Sequence, residues 1–176
     1  MSRKFFYILI ALSIVASVLI AANNFEKKEP VYFSPWAGEI TIGPNQIAVA
    51  QTGYASCSKG LEQDWIDHTI ITLELYQDDE LLQTVSGEEG EWIWRDYYVW
   101  PDPTIQCLHL VDEQQRATWN FKDLQLNKPG IYKLRFYKEQ TAQMIDGYDF
   151  DQDGLPDVYP ATVLADTIVT IHVLKK

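Results

Sequence analysis

The sequence feature that most constrains the fold is the alternation of apolar and polar residues along the body of the chain. Residues 68–76 have the sequence HTIITLELY, which places Ile71, Leu73 and Leu75 on one face of an extended segment. Strict alternation is typical of a half-buried strand, because successive strand side chains point to opposite sides. Long segments with helical periodicity are absent from this part of the sequence. We therefore expect a body built from strands.

Further segments follow the same pattern. The polar residues QDDE separate the first strand from a partner with the sequence LLQTV, which predicts a hairpin. Residues 168–173 are rich in β-branched side chains, which favour strands. The other predicted strands are residues 47–54, 104–111, 117–121, 131–137 and 162–174. Seven or eight short strands separated by turns predict an all-β fold, an antiparallel β-sandwich.

The turn before one of these strands carries a more specific pattern. Residues 126–134 have the sequence LNKPGIYKL, in which a Pro-Gly turn leads into a strand with an early tyrosine, Tyr132. This pattern resembles the corner before the penultimate strand of immunoglobulin-like and fibronectin type III-like domains, where such a tyrosine bonds back to the corner backbone. The resemblance implies an immunoglobulin-like sandwich with Tyr132 in that role. A plain hairpin with an inward-facing tyrosine is the alternative.

An apolar segment near the N-terminus indicates export. Residues 5–22 carry no charge and follow Arg3 and Lys4, the arrangement that export machinery recognises as an N-terminal signal or transmembrane helix. The segment is either a cleaved signal peptide or an uncleaved anchor, and the bulky Leu19 and Ile20 at positions that a cleavage site keeps small favour the anchor. The predicted division is 1–22 signal peptide or membrane anchor, 23–33 tether and 34–176 β-sandwich domain.

The two cysteines agree with export. Cys57 and Cys107 both follow the apolar segment, and an oxidising compartment favours a disulfide between them. Closing a loop of about 50 residues stabilises a fold by roughly 4 kcal/mol on the chain-entropy model. A catalytic thiol paired with His68, His109 or His172 is the alternative, although no local motif favours it. We predict the disulfide and an extracytoplasmic location, in a periplasm or at a cell surface.

An aspartate-rich segment carries the clearest chemical signal. The sequence DFDQDGLPD begins at Asp149, so that Asp151 and Asp153 follow at alternate positions and a glycine comes next. Ca²⁺ takes six to eight oxygen ligands at loose geometry, and a tightly curled loop can direct alternate carboxylates at one centre. The glycine permits the sharp turn that such a loop requires. We predict a Ca²⁺ site in a loop at residues 146–160, with an exposed acidic turn as the alternative.

The loop is not an EF-hand, because the twelfth position, which needs a bidentate acid, is Pro160. The sequence YDFDQDGLPDVY instead resembles the calcium loops of FG-GAP-type integrin-like repeats and of thrombospondin type 3 repeats. The ligands that this resemblance implies are Asp149, Asp151, Asp153, the backbone carbonyl of Leu155, and Asp157. Asp146 is a further candidate ligand. Both families use many copies and this chain has one, so the resemblance implies the loop and a structural ion rather than a repeat array.

Residues 91–101 concentrate aromatic side chains in the sequence EWIWRDYYVWP. These side chains are Trp92, Trp94, Tyr97, Tyr98 and Trp100. Packing within the fold is the favoured interpretation, since the two tryptophans at the start of the stretch alternate. The functional alternatives are a protein-docking patch, because Trp, Tyr and Arg are frequent interface anchors, and a sugar-stacking platform, because flat aromatic faces stack on sugar rings. The isolated Trp36 and Trp65 are expected in the core.

Composition narrows the function classes. The chain has 14 basic and 25 acidic residues and a net charge of −11, which disfavours nucleic acid and anionic membrane surfaces as partners. Sequence motifs for hydrolase nucleophiles, phosphate loops and zinc sites are absent. We therefore expect an exported, Ca²⁺-stabilised, non-enzymatic module that binds or assembles with an envelope or surface protein and meets the membrane only through its N-terminal segment. The alternative is a carbohydrate-binding module that uses residues 92–100.

Overall fold

The computed structural model describes residues 28–96, 107–108 and 115–175. Its strands are β1 (Glu29–Phe33), β2 (Glu39–Ile42), β3 (Gln46–Ser56), β4 (Thr69–Gln77), β5 (Glu80–Ser86), β6 (Glu91–Asp96), β7 (Gln115–Phe121), β8 (Gly130–Gln140), β9 (Met144–Ile145), β10 (Val158–Tyr159) and β11 (Thr162–Val173). Helix α1 spans Lys59–Asp67, and Gly87–Glu89 form a 3₁₀ turn. In these ranges no helix has the length and apolarity to cross a membrane. The predicted signal or anchor, residues 1–22, lies outside them.

The strands form two main sheets. Sheet A has the order β1-β3-β7-β6, and sheet B has the order β2-β11-β8-β4-β5. The predicted strand-rich architecture is confirmed, but the expectation of purely antiparallel pairing is wrong, because β1 pairs with β3 and β2 pairs with β11 in the parallel direction. The two parallel pairs both involve the first strands of the described chain, β1 and β2. There the chain passes from sheet A to sheet B at residues 34–38 and adds one short strand to an edge of each sheet.

Strand β1 changes the predicted N-terminal boundary of the domain. Glu29–Phe33 pair with residues 46–50 of β3, so the end of the predicted tether, residues 23–33, belongs to sheet A. The side chain of Phe33 is buried in the core. The folded domain therefore includes Glu29–Phe33, which the sequence assigned to the tether.

One continuous cluster of buried side chains lies between the two sheets. Trp119 and Phe121 contribute from sheet A, and Leu73, Leu134 and Phe136 contribute from sheet B. The rings of Trp119 and Phe136 meet edge to face at 6.3 Å between centroids, which joins the sheets directly. Burial of each such side chain contributes about 1.5–3 kcal/mol to folding, so this interface is the main source of stability.

Most of the predicted strands are present. The predicted hairpin is β4–β5, and its turn residues Asp78 and Asp79 both have positive φ, as a two-residue hairpin turn requires. The predicted strands 47–54, 117–121, 131–137 and 162–174 correspond to β3, β7, β8 and β11. Of the predicted strand 104–111, only residues 107–108 are described.

The predicted tyrosine corner is confirmed. Tyr132 is buried at the start of β8, and its hydroxyl donates to the Lys128 carbonyl at 2.9 Å. The same hydroxyl accepts a hydrogen bond from the Lys128 N–H at 3.1 Å. One side chain therefore satisfies two backbone groups of the turn and fixes the angle at which the chain enters β8.

Helix α1 was not predicted from the alternation of the sequence. The Ser58 hydroxyl caps its first turn by accepting a hydrogen bond from the Leu61 N–H at 3.3 Å. Trp65 lies one turn after Leu61 and packs against Tyr54 with 4.2 Å between ring centroids. The helix therefore covers one end of the sandwich, where β3 ends.

The two isolated tryptophans have opposite environments. Trp65 is buried, as predicted. Trp36 is 65% exposed in the turn between β1 and β2, so its predicted place in the core is wrong. The turn carries the chain from one sheet to the other, and residues 36–38 are exposed to solvent.

Candidate metal centre

The aspartate-rich segment forms the tip of the long connection between β8 and β11. Strands β9 and β10 pair in the antiparallel direction and close the loop at its base. Within the loop, the Asp157 N–H donates to the Tyr148 carbonyl at 2.9 Å. The Gln140 side-chain amide donates to the carbonyls of Ala142 and Tyr159 at 2.9 and 3.1 Å. These contacts hold the base of the loop against the end of sheet B.

The predicted disulfide between Cys57 and Cys107 is present and lies against the same base. The Cys57 N–H donates to the Asp146 carbonyl at 2.7 Å, and the Leu108 N–H donates to the Gly147 carbonyl at 3.0 Å. Gly147 has a φ of 84°, and a Cβ at this position would lie 2.7 Å from the Cys57 Cβ, so only glycine fits here. Because both sulfurs are bonded, the alternative of a catalytic thiol is excluded.

Asp146 belongs to the base of the loop rather than to the cluster at its tip. Its buried carboxylate accepts hydrogen bonds from the Tyr148 N–H and the Tyr159 hydroxyl, each at 2.9 Å. Burial raises the pKa of Asp146 to about 6, although both hydrogen bonds favour the charged form. The role that the structure supports for this residue is to fasten the two sides of the loop.

Asp149, Asp151 and Asp153 converge at the tip of the loop. One carboxylate oxygen of each lies within 4.8 Å of those of the other two. Asp149 is largely buried, whereas the other two carboxylates are exposed. The alternate spacing brings the side chains together because the backbone curls between them, with positive φ values of 62° at Gln152 and 87° at Gly154.

Backbone N–H groups orient these carboxylates. Asp149 accepts hydrogen bonds from the N–H groups of Asp153 and Gly154 at 3.1 and 3.0 Å. Asp151 accepts from the Asp153 N–H at 3.3 Å, and Asp153 accepts from the Leu155 N–H at 2.8 Å. A carboxylate has about four lone-pair sites, so each group can accept these bonds and still bind a cation.

The charges at the tip repel one another. The pKa of Asp151 is raised above its usual value. The largest single influence, the hydrogen bond from the Asp153 N–H, lowers it, but partial desolvation and the negative charges of Asp153 and Asp157 outweigh that bond. A bound cation would reverse this repulsion, which makes the cluster chemically suited to a metal ion.

The other two predicted ligand residues flank the cluster. The Asp157 Oδ2 accepts a hydrogen bond from the Phe150 N–H at 2.8 Å, and its carboxylate is not one of the three that converge. Leu155 follows the cluster directly, with its N–H bonded to Asp153 and its side chain 65% exposed. The structure therefore brings together three of the five predicted ligand residues and places the remaining two beside them.

The aromatic stretch is described only in part. Trp92 and Trp94 lie on β6 opposite Trp119 and Ala117, so both point to the inner side of sheet A. Trp92 packs against the core cluster, and the Lys59 ammonium lies 5.5 Å from the centre of the Trp94 ring. The remaining members lie outside the described residues: Tyr97, Tyr98 and Trp100. In the described part of the stretch, the geometry supports packing rather than a sugar-stacking platform.

A buried polar cluster beside α1 was missed in the sequence. Glu62 is fully buried, and its Oε1 accepts a hydrogen bond from the Ala117 N–H at 2.8 Å. Lys138 is also buried, with its Nζ 3.1 Å from the Thr52 hydroxyl and 3.6 Å from the centre of the Tyr54 ring. Burial raises the pKa of Glu62 to about 7 and lowers that of Lys138 to about 7. The sequence signal that could have revealed this cluster is the position of Lys138, which falls among the inward-facing residues of β8.

Comparison of the chain with protein-family models, with curated proteins and with solved structures finds no match. The resemblance of the aspartate loop to calcium repeats therefore stays a prediction. The functional interpretation depends on the chemistry and geometry of this chain alone.

Proposed function

We propose that the protein is an exported module that is stabilised by Ca²⁺ and that binds or assembles with other components of a cell envelope or surface. The observation that carries this proposal is the convergence of Asp149, Asp151 and Asp153 on a loop whose base lies against the Cys57–Cys107 disulfide. A structural disulfide supports an oxidising compartment outside the cytoplasm. Exported calcium modules function at the high Ca²⁺ concentrations of such compartments.

The donor set supports Ca²⁺ as the ion. Ca²⁺ accepts six to eight oxygens at 2.3–2.6 Å in variable geometry, whereas Mg²⁺ requires a tight octahedron and retains several waters. The three converging carboxylates, the Leu155 carbonyl and Asp157, acting directly or through water, complete a set of this kind together with solvent. The exposed loop can adjust to the larger ion, because backbone hydrogen bonds rather than core packing orient two of the three carboxylates.

We also infer an immunoglobulin-like arrangement of the two sheets. It is supported by the shared core between the sheets and by the tyrosine corner at Tyr132. The two parallel edge pairs, β1 with β3 and β2 with β11, are a variation on the purely antiparallel sandwich.

The same loop supports an interaction role. Phe150, Leu155 and Val158 are apolar side chains that remain exposed on the loop, at 37%, 65% and 56%. A bound ion would order the loop and so present these side chains in a fixed arrangement. Exposed apolar side chains on an ordered loop suit a protein partner, because their burial on contact contributes favourable free energy.

Calorimetric titration of the chain with Ca²⁺ tests the metal site. We expect one site with a dissociation constant between about 0.1 and 1 mM, as in extracellular calcium modules, and weaker binding of Mg²⁺. The double variant Asp151→Asn, Asp153→Asn should lose this binding. The matched control Asp78→Asn, Asp79→Asn removes two exposed charges from the β4–β5 turn and should bind Ca²⁺ normally. Equal binding by both variants would contradict the assignment.

Replacement of Leu155 by a photoreactive amino acid, in the cells that produce the protein, tests the interaction role of the loop. We expect a cross-link to a second envelope or surface protein in the presence of Ca²⁺ and its loss in excess chelator. A photoreactive residue at Asp64, an exposed position on α1, is the control and should not form this adduct. Cross-links that do not differ between positions 155 and 64 would contradict a partner site at the loop.

A further inference from the structure

Strand β6 forms one edge of sheet A. It pairs with β7 on one side, and no strand in the described parts of the chain pairs with its other side. In an antiparallel pair, every second residue of a strand directs its N–H and C=O away from the neighbouring strand. The outer side of β6 therefore presents backbone donors and acceptors to which a further strand can bind.

The other three edges of the two main sheets carry features that oppose the addition of a strand. Strand β1 contains Pro30, which has no N–H, and β2 has only four residues. The register between β4 and the edge strand β5 shifts between Leu75 and Tyr76. Prolines, very short strands and bulges are devices that keep sheet edges from pairing with other chains. Strand β6 has six residues, a regular register with β7 and none of these devices.

The sequence of β6 is complementary to itself in the antiparallel direction. Residues 91–95 have the sequence EWIWR, so two copies of the strand can pair with Ile93 of one opposite Ile93 of the other. In this register Glu91 lies opposite Arg95 of the second copy, and Trp92 lies opposite Trp94. Opposite charges and paired aromatic rings are among the cross-strand pairs that stabilise a sheet.

The side chains of β6 have the exposure that this pairing requires. Ile93 is 42% exposed in the middle of the strand. Glu91 and Arg95 are exposed on either side of it, and the described part of the structure gives neither of them an ion pair. On the other face, Trp92 and Trp94 are only partly buried. A second copy of β6 would cover the remaining apolar surface and pair both charges.

Symmetry favours a second copy over an unrelated strand. An unrelated strand would have to supply an acid, an apolar residue and a cation at matching positions, whereas a second copy supplies all three. A two-fold axis between the two Ile93 side chains uses the same surface of both copies, so the contact closes after one step. The two copies of sheet A then form one continuous sheet in which the β6 strands are central.

We propose that the protein forms a symmetric dimer through antiparallel pairing of β6 with β6 of a second copy. Glu91 of each copy binds Arg95 of the other, the two Ile93 side chains pack together, and Trp92 packs beside Trp94 of the other copy. The proposal goes beyond the Ca²⁺-stabilised module, because it assigns one specific partner to the protein and uses no residue of the aspartate loop.

Disulfide trapping of the full-length chain in detergent tests the register. Residues directly opposite each other in an antiparallel pair have Cα atoms about 4.5–5.5 Å apart, a distance that a disulfide can bridge. Ile93→Cys should therefore give a covalent dimer on mild oxidation, seen on a non-reducing denaturing gel. The native cysteines are bonded to each other and do not compete. The matched control Ile70→Cys replaces an isoleucine of similar exposure, 47%, on sheet B and should remain monomeric.

Charge reversal tests the side-chain contacts. Arg95→Glu and Glu91→Arg each place like charges opposite each other, so each should weaken the dimer about tenfold or more in analytical ultracentrifugation of the full-length chain. An equimolar mixture of the two variants restores opposite charges at both positions and should dimerise like the wild type. The matched control Lys175→Glu reverses an exposed charge after β11 and should leave the affinity unchanged. Circular dichroism checks that each variant is folded.

Four results would overturn the proposal. These are a wild-type chain that stays monomeric at all concentrations, equal covalent dimer from Ile93→Cys and Ile70→Cys, wild-type dimer affinity in Arg95→Glu, and no dimer in the mixture of the charge-reversal variants. The variant Asp151→Asn, Asp153→Asn should dimerise with wild-type affinity. Loss of the dimer in that variant would assign assembly to the aspartate loop, whereas loss of Ca²⁺ binding alone would leave the β6 contact standing.

Discussion

At the residue scale, Glu62 lies in an environment very different from that of the same residue in water. It is fully buried on α1, and it accepts a hydrogen bond from the backbone of β7. Burial is the main cause of its raised pKa, while the Ala117 N–H, the Ser56 hydroxyl and the positive charges of Lys138 and Arg116 favour its charged form. The protein therefore holds a carboxyl group that the folded state prefers protonated at mildly acidic pH.

This environment predicts a pH dependence of stability. A carboxyl group with a pKa of about 7 in the folded state and about 4.5 in the unfolded state stabilises the fold fully below pH 4.5, and this contribution is lost as the pH rises to 7. The loss amounts to on the order of 3 kcal/mol. Glu62→Gln keeps an acceptor for the Ala117 N–H but cannot titrate. Urea unfolding at pH 5 and pH 7.5 should show a smaller fall in the unfolding free energy for the variant than for the wild type.

The titration of other buried groups does not mask the pH dependence that Glu62 causes. Asp146 changes stability in the same direction between about pH 4 and 6, but it is present in both proteins and cancels in the comparison. Lys138 has a lowered pKa, so its effect is a gain of stability as the pH rises from about 7 to 10.5, which overlaps the compared range only between pH 7 and 7.5. The negative charge of Glu62 raises the pKa of Lys138, so the loss of that charge in Glu62→Gln adds to the expected difference rather than opposing it. Identical pH dependence in wild type and Glu62→Gln would contradict the buried environment.

Single residues were predicted from the sequence where their role is local. The aspartates converge because alternate spacing and a following glycine act within one loop, and Tyr132 bonds to a residue four positions earlier. Trp36 was predicted in the core but is exposed, and the burial of Lys138 was not predicted. Their burial depends on which element passes over them, and hydrophobicity alone does not determine this.

At the element scale, the tyrosine corner predicts a measurable contribution to stability. Tyr132→Phe removes the hydroxyl that bonds to both the N–H and the carbonyl of Lys128. We expect a loss of about 1–2 kcal/mol in unfolding free energy, because the N–H and the carbonyl of Lys128 lose their hydrogen-bond partner while no cavity forms.

Urea unfolding measures this loss. Tyr137→Phe is the matched control on the outer side of the same strand, where the hydroxyl bonds to Glu139, and it should cost less than about 0.5 kcal/mol. Equal losses would contradict the role of the corner.

Strands were predicted correctly where the alternating apolar pattern extends over many residues. Strands β4, β8 and β11 have nine or more residues, and each shows several inward-facing apolar positions. Helix α1 has nine residues and a glycine in its first turn, so its apolar pair Leu61 and Trp65 is too short a pattern for prediction. The parallel pairing of β1 and β2 depends on where distant strands lie, which no local pattern encodes.

At the scale of the whole molecule, the disulfide joins the body of the sandwich to the aspartate loop. Cys57 follows β3, and the N–H groups of Cys57 and of Leu108, the residue after Cys107, donate to the base of the loop. Replacement of both cysteines, Cys57→Ser and Cys107→Ser, should lower the unfolding free energy by about 3–4 kcal/mol, because the loop of about 50 residues is no longer closed in the unfolded state. The same variant should bind Ca²⁺ more weakly, since the base of the loop loses its anchor. Urea unfolding and calcium titration measure the two effects, and unchanged values of both would contradict this coupling.

The central claim is that a cation bound at Asp149, Asp151 and Asp153 stabilises the folded protein. Thermal unfolding of the oxidised chain, with excess Ca²⁺ and then with chelator, tests it most directly. At a Ca²⁺ concentration about a hundredfold above the dissociation constant, we predict a rise in Tm of about 5–10 °C, because a ligand that binds only the native state shifts the equilibrium by about 2.7 kcal/mol. The variant Asp151→Asn, Asp153→Asn should show no rise. The same Tm for the wild type with Ca²⁺ and with chelator would contradict the claim and leave the three aspartates as an exposed acidic turn.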